Sequence, residues 1–180
     1  MHPRLAELLE YLDTKRSSML AAATAVPAGD WGTRPAPDRW SVAEVCWHLH
    51  RVETGVARLV RMRADESRAQ GHPAEDETSS VLGRLDGRGV QDRSRPIEAP
   101  PQVAPKENPT ADRAVQLLAE SRGLLRAAIA DADGVALGRM THPHPALGEL
   151  DLYQWILLIG QHEERHTGQI VETAAAVRAR

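Results

Sequence analysis

The sequence predicts an all-α protein, an antiparallel four-helix bundle with a long crossover between its second and third helices. Apolar residues recur at helical spacing in four separate segments. Alanine and leucine supply most of the apolar content, phenylalanine is absent and β-branched residues are sparse, a balance that favours helix over sheet. Between the second and third periodic segments, from about Ala64 to Pro109, lies a stretch rich in Gly, Pro and charged residues that is too long for a hairpin turn. The 180 residues fit one domain, 1–180, with a full-sized core.

The first helix is expected from about Pro3 to Ala23. Proline suits a first turn, where its missing N–H has no partner to lose, and Leu5, Leu8, Leu9, Leu12, Met19 and Leu20 share one face. A Pro-, Gly- and Asp-rich connection containing Trp31 and Trp40 follows. Ser41 and Glu44 have capping-box spacing at the start of the second helix. Its stripe of Val42, Val45, Leu49, Val52, Val56 and Leu59 runs to about Met62. Cys46, on the edge of that stripe, reads as a small buried hydrophobe.

The crossover is expected to hold a short helical turn near Ser79–Leu85 and to pack its later part across the bundle. The third helix starts near Thr110 and presents Ala114, Leu117, Leu118, Ser121, Leu125, Ala128 and Ile129 on one face, with Ser121 as a small packing residue. Gly134 marks its stop. A linker, Thr141–Gly148, carries two His-Pro pairs, for which a turn role is expected. Asp151 and Gln154 then have N-cap and N3 spacing for a fourth helix reaching about Ala176.

The 22 basic and 25 acidic side chains give a formal net charge of −3, interleaved along the chain. Nothing in that balance attracts nucleic acid or an anionic membrane. No run approaches the roughly 18 apolar residues of a membrane span. The single cysteine cannot form an internal disulfide, and the N-terminus lacks the unbroken apolar run of a signal peptide. A cytoplasmic protein with a small-molecule substrate is expected, without nucleic-acid or membrane partners, and with a homodimer admissible.

The fourth helix carries the strongest chemical signal. Leu152, Trp155, Ile159, His162, His166, Ile170 and Val177 form one stripe, with two imidazoles where aliphatic residues would be expected. Buried unsatisfied, each would cost a few kcal/mol. At i and i+4 both rings can instead reach one ion. A pair of hydrogen-bonded core histidines is the bland alternative. Of the other histidines, His2 and His72 fall in terminus and loop, and His142 and His144 in the linker. In the second helix His48 and His50 flank the stripe on opposite sides, and geometry favours His48 only weakly. His162-Glu163-Glu164-Arg165-His166 also satisfies HExxH, in which Glu163 would be a general base on a metal-bound water. No further histidine follows His166, and Glu172 points about half a turn away from the pair, so the zinc-protease reading lacks its third ligand. Glu163 then reads as a flank residue or a partner of the ligands.

WSVAEVCWHLHRVE, HPALGELDLYQWILLIGQHEERHTGQI and the crossover end APPQVAPKENPT resemble the corresponding segments of the DinB/YfiT-like superfamily, over nearly the whole chain. The resemblance implies that the His of the His-Leu pair and both histidines of the last helix bind one divalent metal inside the bundle. Carried over, these ligands are His48, His162 and His166, and His50 is left as a surface histidine. Gln169, near the ligand stripe, would orient an imidazole or a metal-bound water.

Three protein nitrogens leave a position open, the arrangement of a Lewis-acid site, and suit zinc or nickel. The resemblance implies an S-transferase that activates a low-molecular-weight thiol such as bacillithiol, mycothiol or glutathione toward an electrophile. Its alternatives are a metal-dependent hydrolase using metal-activated water and a non-catalytic structural or stress protein whose ion ties two helices together.

Overall fold

The computed structural model describes residues 1–94 and 98–179. Its bundle consists of α1 (Pro3–Thr24), α2 (Val42–Ala69), α3 (Ala111–Asp131) and α4 (Leu152–Arg178). Each helix starts where a side chain satisfies an otherwise orphaned N–H. His2 accepts from Arg4 N, and Thr110 from Arg113 N. Reciprocal boxes join Ser41 to Glu44 and Asp151 to Gln154. The helix α2 continues to Ala69 rather than ending near Met62. Ala64 and Ser67 are still buried there, and Arg63–Glu66 and Asp65–Arg68 pairs support the extra turns at i,i+3 spacing.

Chain directions follow from the cross-contacts. Near their C-terminal ends Arg68 of α2 donates to the Asp131 carbonyl of α3, so these neighbours run parallel. Tyr11 fills the space beside Gly160, and Lys15 pairs with Glu164, which sets α1 parallel to α4. Arg16 reaches the Leu118 carbonyl and Arg122 the Leu12 carbonyl, so α1 and α3 run oppositely. A parallel α2–α3 pair needs a return across the length of the bundle, which is what the crossover provides.

Along that crossover Val81, Leu85 and Val90 are buried against the bundle. Residues 82–87 form successive turns and not the helical turn expected near Ser79–Leu85. Gly83 and Gly87 sit at φ +84° and +79°, left-handed values that interrupt a right-handed helix. The His-Pro linker also differs from a plain turn. Thr141–His144 (β1) pairs antiparallel with Gly148–Asp151 (β2), with Thr141 opposite Asp151 and His144 opposite Gly148. No helix among the described residues is long and apolar enough to cross a membrane.

The apolar core is divided in two. One cluster joins Leu5, Leu8 and Leu12 to Val56, Leu125, Ile129 and Ile156. The other joins Met19 and Ala23 to Val42, Val45, Ala114, Leu118 and Ile170. Between the two clusters lie Arg16 on α1, Glu53 on α2, Ser121 and Arg122 on α3 and Glu163 on α4, whereas His48 is set among residues of the second cluster, between Cys46 and Leu49.

Candidate metal centre

His48 projects from the second turn of α2, and His162 and His166 from adjacent turns of α4. The Nε2 atoms of His48 and His166 each lie 3.1 Å from His162 Nε2, and the three nitrogens are all within 4.8 Å of one another. The structure thus brings together all three histidines singled out in the sequence.

Proton counting decides what the cluster can hold. His48 Nδ1 is 2.8 Å from the Val103 carbonyl, and His166 Nδ1 is 2.8 Å from Gln169 Oε1. Both partners only accept, so both Nδ1 atoms carry the hydrogen and both Nε2 atoms present lone pairs. His162 could donate from Nε2 to one neighbour but not to both. At least one 3.1 Å contact is therefore lone pair against lone pair, an arrangement that a cation between the rings relieves. Burial lowers the pKa of His48. Burial, followed by the neighbouring His166 and His48, pushes His162 well below its ordinary value. His166 is pushed down to about 3, first by burial and then by His48. All three rings are held neutral, the state in which imidazole ligates metal. The donor set fits a divalent ion.

Trp40 covers one side of the cluster. Its ring is nearly parallel to that of His166, at 13° and 6.2 Å between centroids, and lies 5.0 Å from His48. Together with the Val103 carbonyl it draws the α1–α2 connection and the crossover onto the site. No sequence signal pointed to Val103, because a backbone oxygen leaves no side-chain signature. Trp40 could have been inferred from its place immediately before the Ser41 cap.

Glu163 stands about 60° from His166 around α4 and meets arginines instead of the histidine rings. It is 1% exposed and joins Arg16, Glu53 and Arg122 in a cluster with one residue from each helix. Arg16 Nε donates to Glu163 Oε1 at 2.7 Å and Arg16 Nη2 to Glu53 Oε2 at 2.7 Å. Arg122 Nε donates to Glu53 Oε1 at 2.6 Å and Arg122 Nη2 to Glu163 Oε1 at 2.9 Å. Burial pushes the Glu163 carboxyl up against the pull of Arg16 and Arg122. Burial works against the Arg16 charge, yet Glu163 and Glu53 outweigh it and raise its pKa. A carboxylate whose Oε1 is held by two guanidiniums is committed as their counter-ion, so the HExxH match lacks a free general base. It is not a flank residue on the surface either. The sequence signal was present: Arg16, Glu53 and Arg122 each stand four residues after and three before an apolar residue of a buried face.

The remaining candidates divide clearly. His50 is half-buried with Nδ1 2.8 Å from the Leu117 carbonyl, turned to α3 and away from the cluster. Ser121 is more than a packing residue, because its hydroxyl donates to Glu53 Oε2 at 2.5 Å. Cys46 is a buried free thiol whose pKa burial pushes up to about 12, which leaves it unreactive. Gln169 contacts His166 directly, as expected of an orienting group. Glu172 is exposed and pairs with Arg39 and Arg93.

Comparison with known proteins places this geometry in a family. A family model described as "DinB superfamily" matches residues 11–170. The protein YuaE of Bacillus subtilis (strain 168) is 29% identical over 140 residues, covering 77% of this chain and 80% of its own. The crystal structure of TT2238, described as a four-helix bundle protein, superposes with a TM-score of 0.58 at 20% identity, covering 98% of this chain and 99% of that one. At that identity the likeness concerns the fold.

Proposed function

The chain belongs to the DinB superfamily, and from that premise we propose that His48, His162 and His166 bind one divalent cation, zinc or nickel, and that the site activates a low-molecular-weight thiol for transfer to an electrophilic small molecule. The observation that supports this reading is the convergence of three neutral Nε2 atoms that cannot satisfy one another. When bound, such a cation supplies Lewis-acid chemistry and lowers the pKa of a thiol that coordinates it.

The protein's own groups do the positioning. The Val103 carbonyl and Gln169 Oε1 keep His48 and His166 in the Nδ1–H tautomer and aim their lone pairs inward. Three neutral ligands add no negative charge, so the ion's full charge acts on whatever fills the open position. Trp40 shields one side from water. In the transfer, the sulfur lone pair forms the new bond to the electrophilic carbon as the leaving group departs with its electron pair. Glu163 takes no part, which counts against a hydrolase of the HExxH type.

The test pairs elemental analysis with a thiol screen. Purified protein should contain about one zinc or nickel per chain. Bacillithiol, mycothiol or glutathione should then raise the melting temperature of the metal-loaded form alone, and an aryl halide or epoxide should be consumed in a metal- and His48-dependent way. Equal rates with native and metal-free protein for all three thiols would overturn the transferase. Ester hydrolysis by the loaded form would then point to the hydrolase, and inertness to the structural role.

A further inference from the structure

The His-Pro hairpin is absorbed by neither the metal centre nor the charge cluster. His144 Nδ1 accepts from the backbone N–H groups of Ala146 and Leu147, at 3.1 and 3.2 Å. With that nitrogen occupied as an acceptor, the neutral ring carries its hydrogen on Nε2. A second proton would have to sit against two N–H groups. The turn therefore presets His144 as a neutral Nε2–H donor.

That donor stands beside an aromatic platform in line with the histidine cluster. The His144 ring lies 5.0 Å from the Trp155 ring, and the Trp155 indole is held by a 3.0 Å bond from Nε1 to the His142 carbonyl. Trp155 precedes His162 by two helical turns, which places it about 20° away on the same face of α4 and roughly 10 Å along the axis. On α2, Val52 and Leu59 follow His48 by four and eleven residues, within about 40° of it. Arg63, further along that face, ties α2 to the hairpin through the Thr141 carbonyl at 3.0 Å. Val52, Leu59 and Trp155 are half-buried and pack on one core cluster. Gly55 lies between Val52 and Leu59, and a Cβ there would meet nothing within 4 Å. By helical position, half-buried Val52 and Leu59 of α2 and Trp155 of α4 lie on faces that lead from the histidines toward His144 and its preset donor.

We propose that the strip traced by these faces seats the electrophilic substrate, with a flat aryl or similarly planar apolar body against Trp155 and a carbonyl, nitro or ether oxygen accepting from His144 Nε2–H. The assignment rests on reading the histidines as the reactive centre, and it adds the substrate class that the centre alone does not specify. His144 is then a specificity-determining residue beside Trp155 and not a ligand of the ion.

The test uses 1,3-dinitrobenzene, a planar, neutral acceptor-bearing probe without a leaving group, titrated into metal-loaded and metal-stripped full-length protein by tryptophan quenching. Saturable binding to both forms is expected. Trp155→Leu should weaken it about tenfold. His144→Asp keeps a side-chain oxygen to accept from the turn but carries no donor. It should weaken dinitrobenzene binding about threefold to tenfold and leave toluene binding, measured by competition, unchanged. In turnover with an aryl halide the same variant should raise KM and leave kcat near its native value. Non-saturating quenching, or binding that both variants leave unchanged, would overturn the strip even if thiol transfer is observed. Probe binding that responds to both variants in a protein inert toward all three thiols would uphold the strip and refute the transferase.

Discussion

The histidine cluster and the Arg16–Glu53–Arg122–Glu163 cluster adjoin through neighbouring residues of α4, His162 and Glu163. Their hydrogen-bond accounts are opposite. In the charge cluster two guanidiniums meet two carboxylates, and each arginine also donates to a main-chain carbonyl, Leu118 for Arg16 and Leu12 for Arg122. Opposite charges pair within the cluster, with Glu163 Oε2 buried and left without a hydrogen-bond partner. In the histidine cluster three acceptors share at most one hydrogen, and the outward nitrogens of His48 and His166 are already committed. A charge-balanced cluster ties the four helices together, whereas the electron-rich histidine cluster has a donor set that could hold a cation.

If that division is right, the two clusters respond oppositely to substitution. The largest expected effect is on folding. Glu163→Ala leaves two buried guanidiniums sharing the single carboxylate of Glu53 and should cost about 3–5 kcal/mol in urea unfolding of the metal-free protein. His162→Ala should cost much less in the same experiment, since it removes one member of a mutually repelling set. A larger loss for His162→Ala than for Glu163→Ala would break the comparison.

Metal content should show the reverse order. His48→Ala, His162→Ala and His166→Ala should each reduce stoichiometric metal sharply and abolish the metal-dependent rise in melting temperature. Full occupancy in all three variants would refute the site. A smaller loss is expected from Gln169→Leu, which removes the acceptor on His166 Nδ1. Metal affinity should fall about 10- to 100-fold by competition with a chromophoric chelator.

The pH dependence of the metal-free protein sharpens the contrast. Folding lowers the pKa values of His48, His162 and His166, the last to about 3. Between the unfolded value of about 6.5 and these lowered ones, the unfolded chain binds more protons, so stability falls as pH falls. Each histidine that remains neutral in the fold should contribute about 1.4 kcal/mol of loss per pH unit in that window. Urea midpoints between pH 7 and pH 4 check this, and a flat profile would show that the rings are not held neutral. The smallest effect is reserved for His50→Ala, whose hydrogen bond to Leu117 is worth about 1 kcal/mol and which should leave metal content unchanged.

The helices, the two capping boxes and the two α4 histidines were legible in the sequence because they depend on short-range regularities. Capping boxes act over three residues, amphipathic faces repeat every 3.6, and His162 and His166 share a face whatever the rest of the chain does. The choice of His48 over His50 was open to residue geometry and required a family resemblance. The end of α2, the hairpin in the His-Pro linker and the turns at residues 82–87 departed from expectation because side-chain pairs, strand pairing and left-handed glycines overrode the local pattern. What only the tertiary structure decided is how the polar residues are partitioned. Glu163 belongs to two arginines from other helices, Ser121 to Glu53, and His48 to a carbonyl 55 residues away. Periodicity places a side chain on a face, but hydrogen bonding selects its partner, and here those partners lie far away in the chain, where no local spacing rule reaches.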